Sequence, residues 1–129
     1  VIDTGVDYNH LDLRNNIWVN TAEIAGNGKD DDGNGYIDDV YGWDCVGDDK
    51  DPMDDNGHGT QVAGVIADTA RNNVYIQPYK VLDKYGSGTT VSLAAGINCA
   101  IEDGVDIIII SIEKTVYICY NKYAKAFEK

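Results

Sequence analysis

Apolar residues along this chain fall into two stretches of helical period and one continuous run. From His58 the spacing is helical, with Val62, Val65 and Ile66 on one face. A second helix is predicted over Thr89–Asp103, where Leu93, Ile97 and Ala100-Ile101 form a stripe and Gly104 supplies a stop. Between them, Val74–Leu82 is short and mostly apolar, which predicts a strand made irregular by Pro78. Val105–Ile112 holds four consecutive isoleucines without alternation, the pattern of a strand covered on both faces in a parallel sheet. Val1-Ile2 reads as the end of another strand, and Tyr117–Phe127 as a further helix. Residues 6–57 have no clear period and are rich in Gly, Asp and Asn, which predicts loop with a short strand or turn around Tyr36–Trp43.

Alternating strands and helices predict an α/β fold of three layers, a mainly parallel sheet with helices on both faces. With 129 residues the chain makes one domain, and Val1 at mid-strand suggests a partial one spanning 1–129. No run is long enough to span a membrane, and no signal peptide is visible.

The net charge of −12 argues against a nucleic-acid partner, which needs a basic surface. Residues 30–55 hold eleven aspartates against one lysine, so −10 of that charge is concentrated in one stretch. Such crowding is costly unless water or a cation neutralises it. Within it, Asp30-Asp31-Asp32-Gly33-Asn34-Gly35-Tyr36-Ile37-Asp38 puts oxygen ligands at alternate positions. Asp30, Asp32, Asn34, the Tyr36 carbonyl and Asp38 fit the first positions of a calcium loop, with Gly35 at the sharp turn. The bidentate Glu of an EF-hand is absent, Tyr41 standing near its place, so Asp39 or water would complete the shell. Cys45, Cys99 and Cys119 show no CxxC spacing, which disfavours zinc; one disulfide with a free thiol and three buried thiols both remain open.

Two motifs carry candidate chemistry. Asp3 ends an apolar strand, and Thr4-Gly5 turns the chain away from it. His58 opens a helix between Gly57 and Gly59, whose lack of bulk lets a substrate backbone approach. A carboxylate that orients an imidazole makes it a general base and then a general acid. The words around these residues, Val1-Ile2-Asp3-Thr4-Gly5-Val6-Asp7 and Asn56-Gly57-His58-Gly59-Thr60-Gln61-Val62-Ala63-Gly64, resemble the Asp and His signatures of subtilisin-like serine peptidases (peptidase S8). His10-Leu11-Asp12-Leu13, Asp54-Asp55 before the His motif, and Lys80-Val81-Leu82-Asp83 followed by Tyr85-Gly86-Ser87-Gly88 resemble the same family. The order Asp then His also agrees with subtilisin, whose triad runs Asp, His, Ser along the chain.

The resemblance implies a subtilisin-like fold, Asp3 as orienting carboxylate and His58 as base. It also implies substrate-binding edges at Ser87-Gly88 and Ser111, where a peptide would pair as an added strand. Structural calcium, a peptide or protein substrate, an inhibitory propeptide and secretion are further implications. Two positions depart from the family: Gln61 replaces a His, and Glu113 stands where Gly is usual and would crowd a bound backbone. The family's second calcium site, suggested by Asp12, is not carried over, because Asn72-Asn73-Val74-Tyr75 lacks the Gly-rich insert. Ser87, Ser92 and Ser111 are the serines, read as loop, exposed helix and strand; none lies in a Gly-Thr-Ser turn. The expectation is therefore a serine endopeptidase segment bearing two triad members but no nucleophile, inactive alone. The alternative is a calcium-stabilised non-catalytic pseudo-peptidase or interaction module.

Overall fold

The computed structural model describes residues 1–71 and 73–113, so the expected Tyr117–Phe127 helix lies outside the described residues. Its elements are β1 (Ile2–Asp3), β2 (Trp43–Asp44), α1 (His58–Thr69), β3 (Tyr79–Lys80) and α2 (Thr90–Glu102). The strands pair in parallel in the order β1-β3-β2, with Ile2 opposite Tyr79, Asp3 opposite Lys80 and Asp44 opposite Lys80. On the other side of β1, Ile2 bridges Ile110 in parallel and its N–H donates to the Ile109 carbonyl at 3.0 Å.

Strand alternation divides the core in two. Ile2, Tyr79 and Val81 bury one face of the sheet against Cys99 and Ala100 of α2. On the other side, Ala63 and Ala67 of α1 pack with Val6, Leu13, Ile17 and Ile76. The result is an α/β arrangement with a helix on each face.

Both helices are amphipathic: Ile66 of α1 and Leu93, Ile97 and Ala100 of α2 pack against the core as expected, but one residue of each expected stripe does not. In α1 the buried residues are Gly59, Ala63 and Ala67. Val65 is 67% exposed, so it does not join the core face with Ile66 as its spacing suggested. In α2 the buried residues are Ser92, Gly96, Cys99 and Ala100, while Ile101 faces outward. The reason is distance: a Cβ on Gly96 would lie 2.5 Å from Val81 Cγ1, so only small side chains allow α2 to approach the sheet this closely. Ser92, expected on an exposed face, is buried, and its hydroxyl donates to the Val81 carbonyl at 2.8 Å. It also completes a capping box with Thr89, which stabilises the start of α2 by about 1 kcal/mol.

The expected strand at 74–82 is pared down to Tyr79–Lys80 plus a bridge between Ile76 and Ile17. Pro78 interrupts it because proline has no N–H to pair; its carbonyl instead accepts from Trp43 at 3.2 Å. The isoleucine run also departs from expectation. Ile107, Ile108 and Ile110 are exposed, and among the described residues only β1 pairs with this segment.

Candidate functional site

Asp3 ends β1 and is completely buried. Its backbone is fixed by the sheet, since its carbonyl accepts from Val81 at 2.8 Å and Leu82 at 3.2 Å. Its Oδ1 accepts from the Thr4 N–H at 2.7 Å and lies 2.7 Å from Nδ1 of His58. Among the described residues Oδ2 has no hydrogen-bond partner. A carboxylate offers only acceptors, so Nδ1 carries the shared proton and Nε2 is left as the basic nitrogen. The imidazole is half exposed while its partner is buried. The Asp3 hydrogen bond, and then the Asp3 charge, raise the His58 pKa above its ordinary value; Asp54 and Glu113 add smaller contributions.

Glycine makes this contact sterically feasible. A Cβ on Gly59 would lie 2.0 Å from the Gly5 carbonyl oxygen and 3.1 Å from Asp3 Cβ. Gly5, at φ 103°, takes the left-handed turn that leads the chain off β1. Beside Asp3, its register partner Lys80 lies on the same face of the sheet. Its buried Nζ donates to the Thr4 carbonyl and to Asp55, both at 2.7 Å. Burial would push the Asp54 carboxyl up, but donors from Gly57, Thr60 and Asn56 outweigh it and hold it below the usual range. The roles of Lys80, Asp54 and Thr4 were not visible from periodicity; their only signal was that each lies in or next to a stretch that resembles the family.

Ser87, Gly88 and Ser111 are all exposed. Ser87 closes a turn in which its carbonyl accepts from the Asp83 N–H at 2.8 Å. Gly88 lies so tightly over Val81 that a Cβ would come within 2.4 Å of its carbonyl oxygen. None of the three is among the hydrogen-bond partners of Asp3 or His58 described above.

In the acidic loop, Asp30 accepts from the backbone N–H groups of Gly33, Asn34 and Gly35 at 2.7–3.1 Å. The Gly35 bond foremost holds its carboxyl below the usual range. Asn34 is tied by its N–H to Asp32 at 3.0 Å, and its Oδ1 accepts the Tyr36 N–H at 2.8 Å. Asp38 turns elsewhere: Lys50 donates to it at 3.0 Å, with Asn27 and Gly28 adding N–H donors. The carboxylates that converge are Asp32, Glu23 and Asp39, whose ligand oxygens lie within 4.8 Å of one another. Glu23, distant in sequence, and Asp39 thus meet the expected ligand Asp32. Burial pushes the Asp39 carboxyl up to about 6, against hydrogen bonds from Asn34 and Asn20. An all-oxygen, carboxylate-rich set suits a hard cation such as calcium and not a soft metal. Cys45 and Cys99 are thiols in the α2-side core.

The framework is a parallel sheet flanked by helices, with a buried Asp at one strand end gripping a His at a helix start. The comparisons place it in a family: the Subtilase family profile matches residues 1–128, and this chain belongs to that family. It is similar to Subtilisin-like protease 1 of Plasmodium vivax, 57% identical over 77 residues covering 59% of this chain and 12% of that protein. It is also similar to thermitase of Thermoactinomyces vulgaris, 33% identical over 125 residues covering 90% of this chain and 37% of that protein. The crystal structure of a cold adapted subtilisin-like serine proteinase aligns at TM-score 0.55 and 32% identity, covering 79% of this chain and 30% of the other. The chain therefore spans about an eighth of the length of the Plasmodium relatives it matches. Among the described residues, no helix is long and apolar enough to cross a membrane.

Proposed function

We propose that this chain contributes the orienting acid and the general base of a subtilisin-like serine endopeptidase. The observation that carries this reading is the 2.7 Å contact between the buried Asp3 carboxylate and Nδ1 of the half-exposed His58. Asp3 holds the proton on Nδ1 and stabilises the imidazolium as it forms. Nε2 removes the proton from an attacking serine hydroxyl and later delivers it to the leaving amine of a cleaved peptide. The raised His58 pKa strengthens the base and moves the acid limb of the rate profile upward.

The attacking serine comes from outside these 129 residues. Ser92 is committed to the Val81 carbonyl, and among the described hydrogen bonds of His58 neither Ser87 nor Ser111 appears as a partner to be activated. The peptide or protein substrate lies along Ser87-Gly88 and Ser111, and an inhibitory propeptide is a further partner of the whole protein. A fluorophosphonate probe, which labels activated serines, should leave this chain untouched and label the full-length protein. Labelling of Ser111 or Ser92 in this chain would overturn the assignment.

Calcium is part of the proposal, with Glu23, Asp32 and Asp39 the residues that would hold it and link the loop's two ends. The ion would supply charge neutralisation and rigidity rather than chemistry, and extracellular calcium suits a secreted protein. Calorimetric titration with calcium should show binding that Asp32→Ala removes. Asp38→Ala should weaken binding only slightly, since Asp38 pairs with Lys50; loss equal to that of Asp32→Ala would restore Asp38 as a ligand. The alternative, a calcium-stabilised pseudo-peptidase, is distinguished by the full-length protein remaining unlabelled while calcium still binds.

A further inference from the structure

The first turn of α1 is capped from outside the helix. Gly57 occupies the N-cap position and provides no side-chain acceptor. The orphan N–H groups of a helix start must still be satisfied. His58 donates to Asn56 Oδ1 at 3.1 Å, Gly59 donates to Thr4 Oγ1 at 2.9 Å, and Thr60 donates to Asp54 Oδ2 at 2.9 Å. Thr4 is the residue immediately after Asp3 and is 1% exposed. Having accepted from Gly59, its hydroxyl donates to Asp54 Oδ1 at 2.9 Å. A hydroxyl has one proton to give, so this rotor is locked between the helix and the loop that precedes it.

We infer that Thr4 is a positioning residue, its buried hydroxyl tying the strand end that carries Asp3 to the helix turn that carries His58. This rests on reading Asp3 and His58 as a proton-relay pair. Gly59 and Asp54 bracket His58 in sequence, and Thr4 adjoins Asp3, so the tie spans the pair along its backbone. Catalytic groups must be held within about 0.5 Å of their productive geometry. At Gly59 itself no side chain stands between α1 and the turn after β1, so side-chain packing does not set the spacing at the residue next to His58. A directional hydrogen bond therefore sets it.

The test compares Thr4→Val, which keeps the shape and removes the hydroxyl, with Thr4→Ser, which restores it. Ala100→Gly serves as a control that weakens the fold through α2 without touching the tie. His58 is titrated by NMR in the chain, and kcat and KM are measured in the full-length enzyme. With Thr4→Val, the His58 pKa should fall toward about 6.5, the ordinary histidine value. Turnover should fall on the order of 10- to 100-fold with KM nearly unchanged. Thr4→Ser should recover both, and Ala100→Gly should move neither. If Thr4→Val does not fold, Thr4→Ala takes its place. An unmoved His58 titration in the hydroxyl-free variant, or an equal shift in the Ala100→Gly control, overturns the tie while leaving the peptidase reading intact. An inactive wild-type full-length protein with a Thr4-dependent His58 titration overturns the catalytic reading instead, and with it the tie's role in catalysis.

Discussion

Alanine placed at two glycines of one helix should produce opposite effects. At Gly59 the new Cβ would lie 2.0 Å from the Gly5 carbonyl oxygen, 3.1 Å from Asp3 Cβ and 3.2 Å from Asp3 Oδ1. A relaxed carbon–oxygen approach needs about 3.3 Å, so α1 must retreat from the β1 turn by roughly 1 Å. Overpacking of this kind costs about 1–3 kcal/mol. Replacing glycine by alanine in a helix returns at most about 1 kcal/mol, so at the upper end of the overpacking range, where a clash with a backbone oxygen falls, the clash wins by about 2 kcal/mol. At Gly64 nothing lies within 4 Å of the added Cβ, and only the favourable helix term acts. Gly64→Ala should then stabilise by up to about 1 kcal/mol. Urea titration would read these as a midpoint lowered by roughly 1 M for Gly59→Ala and raised by less than that for Gly64→Ala, at a slope of about 1.5 kcal/mol/M. The retreat also separates His58 from Asp3, so the imidazole should titrate closer to an ordinary histidine. A Gly59→Ala chain as stable as the wild type, or two variants shifted in the same direction, would refute the steric reasoning.

Three further outcomes follow from individual groups. Asp39 has a folded pKa near 6, above its unfolded value of about 3.9, so its contribution to stability is full at low pH and is lost as pH rises through 6. Without calcium, the thermal midpoint of the wild type should fall relative to Asp39→Asn between about pH 4 and 6; parallel curves would show that the carboxyl is not perturbed. Lys80→Met strips the buried Thr4 carbonyl of its donor and should cost about 1–3 kcal/mol in chemical denaturation. Asp55→Asn breaks the same lysine's other, half-exposed partner and should cost under about 1 kcal/mol, so equal losses would contradict the assignment. Exposed Ile107 and Ile108 form an apolar edge beside β1, and Ile107→Lys should raise the concentration at which light scattering first reports aggregation; no change would mean the edge is covered in solution.

Much of the site could be read from short words in the chain. Asp3 before Thr4-Gly5, and His58 between two glycines, mark themselves by the company they keep, because close backbone approach demands residues without side chains. The parallel α/β character followed from an apolar run of the β-branched kind and two helical stretches. The Asp–His distance of 2.7 Å did not follow, since no spacing rule links residues on different elements. The calcium-type pattern was local and therefore visible from Asp30 to Asp38, whereas the convergence of Glu23 with Asp32 and Asp39 depends on how the loop folds back.

Hydrophobic spacing placed Ile66, Leu93, Ile97 and Ala100 against the core but misplaced one residue on each helix, for one physical reason. Val65 and Ile101 are the more apolar residues, yet Gly59, Ala63 and Ala67 in α1, and Gly96, Cys99 and Ala100 in α2, face the sheet. Where the helices begin is written locally, in His58 after Gly57 and in the apolar spacing that opens after Thr89, so the chain alone suffices to place those starts. Which side of each helix is buried depends on its neighbours in space, because the closeness of helix to sheet, not the oiliness of a side chain, limits what fits between them.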